Sequence, residues 1–459
     1  SRLDGKVVFL EGGAPGDTVD AQLTKIKSSF LEAKVTTIKK LSPDRVTPFC
    51  IHFGTCGGCS WQHINYETQL RYKQQQVVDN LQRIGGLELP TLSPIIPSAK
   101  TRFYRNKLDY TFSSQRWLTK EELAIKKNLP EGETYSGDGE PALGYHIPRK
   151  YDLVFDVKEC HLQPDPSNAI RLAVKDEAIK TQIPFFDLRK QIGFLRTITI
   201  RMANTGEVMV ILQVTYDEMP WIEQILRRLE NDFPQITSFQ YVINGKKNDT
   251  FADLNIVTWK GNPYITEKMP RPDGKGDLQF RVGPKSFYQT NSDQAYTLYL
   301  IAWKMAELKG DELLYDLYTG TGTIANFVAG QARKVIGLEY VAAAIEDAKV
   351  NSAINGTTNT EFFAGDIKDL LNENFLSVHG HPDVLITDPP RAGMHADVCG
   401  MLLKAAPKKI VYVSCNPATQ ARDLSILSEK YRITAVQPVD MFPHTVHVEN
   451  IVCLELKQG

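Results

Sequence analysis

From about residue 287 to the end, the sequence alternates short, β-branched runs with longer amphipathic ones. The runs are ELLYDLY, KVIGLEY, TEFFAGD, DVLITDPP and KIVYVSC, and a helix is expected over 292–309 ahead of the first. Strands alternating with helices fold as a parallel, doubly wound sheet. Ligands of such sheets sit outside the carboxyl ends of the strands. Those ends here carry Asp316, Glu339, Asp366, Asp388 and Cys415. The last is a single thiol, in IVYVSCNPAT, followed at once by Asn416 and Pro417, which break the run.

The stretch DLYTGTGTIA (Asp316–Ala325) reads as strand, tight turn and helix. Gly320 and Gly322 let the backbone approach a ligand at a helix N-terminus. Glu339 ends the next strand, where an acid meets ribose hydroxyls. Asp366 ends the third strand and reaches toward a base. This loop pattern is shared by nicotinamide enzymes and methyltransferases. The DPPRAG loop (Asp388–Gly393) resembles methyltransferase active-site loops more than dehydrogenase ones, and with the position of the sheet after a long substrate-type region it favours S-adenosylmethionine over NAD.

The chain has 459 residues, enough for two to four domains. Its net charge of -1 excludes a globally basic nucleic-acid binder. Residues 1–110, however, carry 15 Lys and Arg against 10 Asp and Glu. Within them KTRFYRNK (Lys100–Lys107) sets four bases around Phe103 and Tyr104. Bases for phosphate and rings for stacking suit RNA, although a solvated strand would look the same. No apolar run approaches the ~20 residues needed to cross a bilayer.

Residues 1–48 alternate about three strand-like runs with turns at Gly12-Gly13 and Pro15-Gly16, as in a small oligonucleotide-binding barrel cut at its start. A helix is expected over 66–84, capped by Asn65, with Leu70, Val77, Leu81 and Ile84 as its apolar stripe. Residues 94–286 read as mixed and β-rich. They include a hairpin turning at Asn204–Gly206 and an exposed polar loop at Glu131–Pro141.

Seven cysteines, an odd number, argue against a disulfide framework and for a reducing cytoplasm. Cys50, Cys56 and Cys59 form a tight C-x5-C-G-G-C group, and Cys160 could complete four thiolates. Four thiolates suit a [4Fe–4S] cluster or structural zinc. The lone fourth thiol favours iron–sulfur over zinc, whose sites use paired C-x2-C knuckles. Cys399 and Cys453 read as core thiols.

CGGC, FYQTN (Phe287–Asn291), DLYTGTG, TDPPRAG, VSCNP and MFPHTVHVE (Met441–Glu449) occur in this order. Together they resemble the RNA uracil-5-methyltransferases, above all the iron–sulfur branch that methylates 23S ribosomal RNA. The resemblance covers essentially the whole chain. It implies a TRAM barrel at 1–48 that binds RNA, and a central iron–sulfur domain at 49–64 and 94–286. It also implies a Rossmann-like methyltransferase domain at 65–93 and 287–459, against which helix 66–84 packs. By motif, Gln289, Tyr318, Glu339, Asp366 and Asp388 would line the cofactor pocket. Cys415 would be the nucleophile and Glu449 the general base. Tyr318 stands where relatives often carry Phe, and Thr323 where they often carry Asn. The 113–141 segment is longer than in many relatives.

The chemistry agrees. C5 of uracil is a weak nucleophile until a thiolate adds at C6, and a base must then remove the C5 proton. One thiol and one carboxylate suffice; His444 and His447 either orient the site or simply pack, and orientation is favoured for His444. The expected enzyme is a cytoplasmic monomer. The competing readings are a tRNA uridine methyltransferase, a non-catalytic RNA assembly factor and, remotely, an NAD oxidoreductase.

Overall fold

The computed structural model describes residues 2–148 and 150–458. Its C-terminal sheet has seven strands: β1 (Leu313–Leu317), β2 (Lys334–Glu339), β3 (Thr360–Ala364), β4 (Val384–Thr387), β5 (Lys409–Ser414), β6 (Tyr431–Val439) and β7 (Glu449–Leu456). In space they run β3-β2-β1-β4-β5-β7-β6. The first five are parallel, and β7 enters antiparallel between β5 and β6. The strands of the centre are buried on both faces, which explains their continuous apolar runs. Reversal of order at β1/β4 opens the crevice in which doubly wound sheets hold ligands.

The helix expected over 66–84 is present as α1 (Tyr66–Arg83), with the Asn65 side chain accepting from the Thr68 amide at 2.8 Å. Its buried face differs from the expected stripe. Ile84 is exposed, and the inward face is Gln69, Lys73, Val77 and Leu81. The physical reason is that only the second half of α1 meets the apolar core of the sheet, through Val77 and Leu81. The first half lies on the polar 440–444 loop, which needs partners. Lys73 donates to Asp440 at 2.6 Å and to the Phe442 carbonyl at 3.0 Å, and the Tyr66 hydroxyl donates to Asp440 at 2.8 Å. Lys73 and Asp440 side chains are both fully buried, an ion pair spanning the two ends of the chain.

A second seven-stranded sheet fills the middle of the chain, from Lys107 to Gly261 in sequence. Helices Ser167–Lys180 and Met219–Asp232 cover it with Ile170, Val174, Ile222 and Leu226. The expected hairpin is there: Leu195–Met202 pairs with Val208–Val214, and Gly206 takes φ 89° in the turn. The polar segment before Ala142 also holds a helix, Lys120–Lys127. The amino-terminal segment forms a four-stranded sheet, whose fourth member is the two-residue strand Arg2–Leu3. Its core is small: Val8, Leu31 and Ala33. Asp17 and Arg45 tie it to the following segment through two hydrogen bonds at 2.8 and 2.5 Å.

Candidate active site

Cys415 follows the last residue of β5, and Glu449 is the first residue of β7. The antiparallel register ends with Ser414 paired to Asn450, and Cys415 and Glu449, each one residue further out, are close enough for their charges to interact. The strand breaks after the thiol because Asn416 caps the following helix, α2 (Pro417–Leu427), accepting from the Ala418 amide at 3.2 Å. Pro417 occupies the first turn, where its missing N–H costs nothing. Cys415 is therefore held by a strand on one side and a capped helix on the other.

The electrostatics couple the two. Burial pushes the Cys415 thiol up to about 11, aided by the charges of Glu449 and Asp388. Arg391 works the other way, by its charge and by a hydrogen bond to the sulfur. Burial raises Glu449 to about 8, and Asp388 adds to it. Asp388, just past β4, is raised to about 7 by burial. Asp316, at the core of β1, is raised to about 7 by burial first and partly by Asp388, against the 2.6 Å hydrogen bond from Thr319. Three carboxyls thus sit close together with their charges suppressed.

The glycine loop is built as the sequence reading requires. Tyr318, Gly320 and Gly322 all take positive φ, at 63°, 56° and 75°. A Cβ on Gly322 would meet Ala348 at 2.9 Å, so this glycine is needed for packing. A Cβ on Gly320 would meet nothing within 4 Å, so the loop faces open space there. The Glu339 carboxylate accepts from the Gly320 amide at 3.2 Å and the Val341 amide at 2.9 Å. Gln289 is buried and hydrogen-bonded to Tyr299, which feels the charges of Asp388, Asp316 and Glu449. Asp316 keeps one buried oxygen without a partner. Open space beside Gly320, an orphan carboxylate oxygen and three suppressed negative charges fit a ligand that is polar and positively charged.

Asp366 departs from its expected place. The third strand ends at Ala364, and Asp366 instead caps a four-residue helix, accepting from the Lys368 amide at 3.2 Å. Tyr318 packs against the core cluster that contains Cys399. Thr323 is buried, with its hydroxyl 3.3 Å from that of Thr321. His444 is clamped: its amide donates to Gln69 at 3.0 Å, and its ring Nδ1 lies 3.1 Å from the Gln69 amide nitrogen. Its carbonyl accepts from Ser60 and Trp61 at 2.8 and 3.0 Å. Burial pulls its imidazole down to about 4, so it is neutral. Sequence reasoning missed Arg391 and Tyr299. The first stood in view inside DPPRAG; the second carried no signal beyond a helical apolar stripe.

Cys50, Cys56, Cys59 and Cys160 line one cavity, with Gln62 and Tyr145 hydrogen-bonded to Cys59 and Cys160. Burial raises the Cys50 thiol, and raises Cys56 to about 11 and Cys59 to about 12. Among the described residues, no Lys or Arg lines the cavity to draw the protons off. Among the described residues, no three His, Cys, Asp or Glu side chains are grouped closely enough to hold a metal ion.

Fold and site together define a doubly wound, ligand-binding α/β architecture in which a thiol and a carboxyl come close together at the carboxyl edge of the sheet. The tRNA (Uracil-5-)-methyltransferase family model matches residues 255–457, and the TRAM domain model matches residues 1–36. An uncharacterized RNA methyltransferase of Bacteroides thetaiotaomicron is 54% identical over 460 residues, covering 100% of this chain and 98% of the relative. One of Porphyromonas gingivalis is 52% identical, covering 99% and 96%. Among solved structures, the Pyrococcus abyssi tRNA (uracil-54, C5)-methyltransferase in complex with S-adenosyl-L-homocysteine matches with TM-score 0.73 and 29% identity, over 98% of this chain and 96% of that one. The chain belongs to the RNA (uracil-5-)-methyltransferase family, and it is an enzyme of that class.

Proposed function

We propose that this enzyme methylates C5 of a specific uridine in 23S ribosomal RNA, with S-adenosylmethionine as donor and through a covalent bond between Cys415 and uracil C6. The observation that carries the mechanism is that paired strands β5 and β7 bring Cys415 and Glu449 close enough for their charges to interact, beside Asp388 and the glycine loop. S-adenosylmethionine supplies a methyl group on a cationic sulfonium. The Gly320 loop, Glu339 and Gln289 bind it, and Asp316 and Asp388 answer its charge. Arg391 favours the Cys415 thiolate, which adds to C6 and moves the ring's electron pair onto C5. C5 then takes the methyl group as the S–CH3 bond of the sulfonium breaks, and S-adenosylhomocysteine leaves with that bond's electron pair. Glu449, ionised, accepts the C5 proton as the bond to C6 breaks, returning the thiolate and leaving 5-methyluracil. His444 positions the loop that leads into Glu449.

The four thiols of the central cavity are proposed to hold a [4Fe–4S] cluster. Burial pushes up the thiols of Cys50, Cys56 and Cys59, and among the described residues no Lys or Arg lines the cavity, which suits a group that brings positive metal to it. Bound there, a cluster would tie residues 50–59 to Cys160. Iron and sulfide analysis of protein purified without oxygen tests this; stoichiometric zinc without iron would overturn it.

A tRNA target is the second reading. The Pyrococcus abyssi neighbour, named for tRNA uridine 54, aligns over 98% of this chain, so architecture alone does not separate the targets. Mapping 5-methyluridine in a deletion strain does. Loss of the mark from 23S ribosomal RNA, with tRNA unchanged, supports the first reading; loss from tRNA overturns it. The enzyme is proposed to work in the cytoplasm as a monomer; no described helix is long and apolar enough to cross a membrane.

A further inference from the structure

Phe103 is exposed to 43%, and its φ is 54°. That left-handed conformation is a true outlier for a bulky residue and persists only where neighbours over-determine it. The neighbours do so here. The Phe103 amide donates to the His161 carbonyl at 2.8 Å, and the Arg105 amide donates to the Leu162 carbonyl at 2.8 Å. The Tyr104 hydroxyl donates to the Pro443 carbonyl at 3.1 Å, and the Asn106 amide to the Thr290 carbonyl at 2.8 Å. The run is therefore bolted to three segments. One follows Cys160, one leads to Glu449, and one carries Gln289.

The side chains point to the thiol cavity as the brace. The Phe103 ring lies edge-on to His161, centroids 5.8 Å apart. The Arg102 guanidinium lies 3.8 Å over the Phe49 ring, which precedes Cys50 and itself meets His161 at 5.4 Å and His444 at 5.0 Å. Among the described residues, no acid pairs with Arg102 or Arg105. A lone exposed phenylalanine is ordinary. One held in a left-handed turn, flanked by two arginines that lie over aromatic rings and, among the described residues, have no acid partner, and placed beside the active-site loops, has the makings of a stacking platform. Proteins that take a base out of folded RNA stack the unpaired neighbours on aromatic and guanidinium planes.

We propose that Phe103, with Arg102 beside it, stacks on an unpaired base flanking the target uridine, and that the segments around the four-thiol cavity brace it for that contact. This rests on RNA being the substrate, which holds for either target RNA. Glycine adopts positive φ without strain, so Phe103→Gly separates function from folding. The probe is a single-stranded RNA dodecamer with a central uridine flanked on both sides by 2-aminopurine. Wild-type protein should quench its fluorescence on binding. Phe103→Gly should unfold at the same or a higher temperature, lose most of the quench and bind roughly 5- to 150-fold more weakly. Phe103→Trp should keep both. The salt dependence of binding should be unchanged in Phe103→Gly but shallower in Arg102→Ala, since only the latter removes a phosphate contact. The proposal is overturned if wild-type protein gives no quench, or if Phe103→Gly binds within about twofold of wild type with the quench intact. Because the dodecamer is neither ribosomal RNA nor tRNA, a failure here is distinct from a failure of the 23S assignment.

Discussion

Replacing Arg391 by methionine should make the catalytic thiol harder to ionise. Arg391 opposes the burial and the two acids that push Cys415 up to about 11, through its charge and a hydrogen bond to the sulfur. Hydrogen bonds to charged groups contribute about 1.5–3 kcal/mol. Arg391 is exposed, so water screens the interaction and the lower end applies. About 1.4 kcal/mol corresponds to one pH unit. The Arg391→Met thiol should therefore ionise about one unit higher, with roughly tenfold less thiolate at any pH below its midpoint. The assay is the rate of iodoacetamide alkylation of Cys415, read by peptide mass at several values between about pH 7.5 and 9.5, since only the thiolate reacts. Cys399 and Cys453, both buried, serve as internal controls. Equal alkylation rates in wild type and Arg391→Met would refute the reasoning.

Three other outcomes follow from the same structure. Lys73→Met strands the fully buried Asp440 charge and should cost about 3–5 kcal/mol in urea unfolding, while adding Asp440→Asn should recover most of it. Asp316, Asp388 and Glu449 have folded values raised from 3.8, 3.8 and 4.5 to about 7, 7 and 8, so their contribution to the stability of the ligand-free protein is fullest in acid, falls as pH rises above the unfolded values and is gone once pH has passed the folded ones. A sulfonium cation favours their ionised forms, so calorimetry should show S-adenosylmethionine binding tighten from pH 6 to 8 more steeply than S-adenosylhomocysteine; parallel profiles would contradict this. Arg102→Ala and Arg105→Ala should each lower the salt slope of RNA binding by ~0.7–0.9; an unchanged slope returns Lys100–Lys107 to a merely solvated surface.

The sheet was legible in the sequence because its strands are buried on both faces and end in chemistry-bearing residues, which leaves an apolar run and a sharp stop. Cys415 close to Glu449 was legible only as two motifs. Their apposition comes from β7 inserting antiparallel beside β5, a pairing between segments that no local pattern records. The stripe of α1 was misread because Gln69 and Lys73 are buried by polar partners far along the chain, and burial of that kind looks polar in sequence. Asp366 was placed one element early because Gly365 and Asp366 turn the chain after Ala364 and Asp366 caps a helix instead. The helix at Lys120–Lys127 did leave a signal: Thr119 and Glu122 form a reciprocal capping box in an otherwise charged segment.

The central claim is the division of labour between Cys415 and Glu449, and a covalent trap tests it most directly. Glu449→Gln is incubated with S-adenosylmethionine and undermethylated RNA, run on a denaturing gel, and the slow band is digested and weighed. Loss of a general base slows its step by ~10²–10⁴, so an adduct should accumulate. It should be methylated at C5 and linked to Cys415, and it should be absent from Cys415→Ala. Methylation by Cys415→Ala, or an adduct mapped to Cys399 or Cys453, would contradict the account.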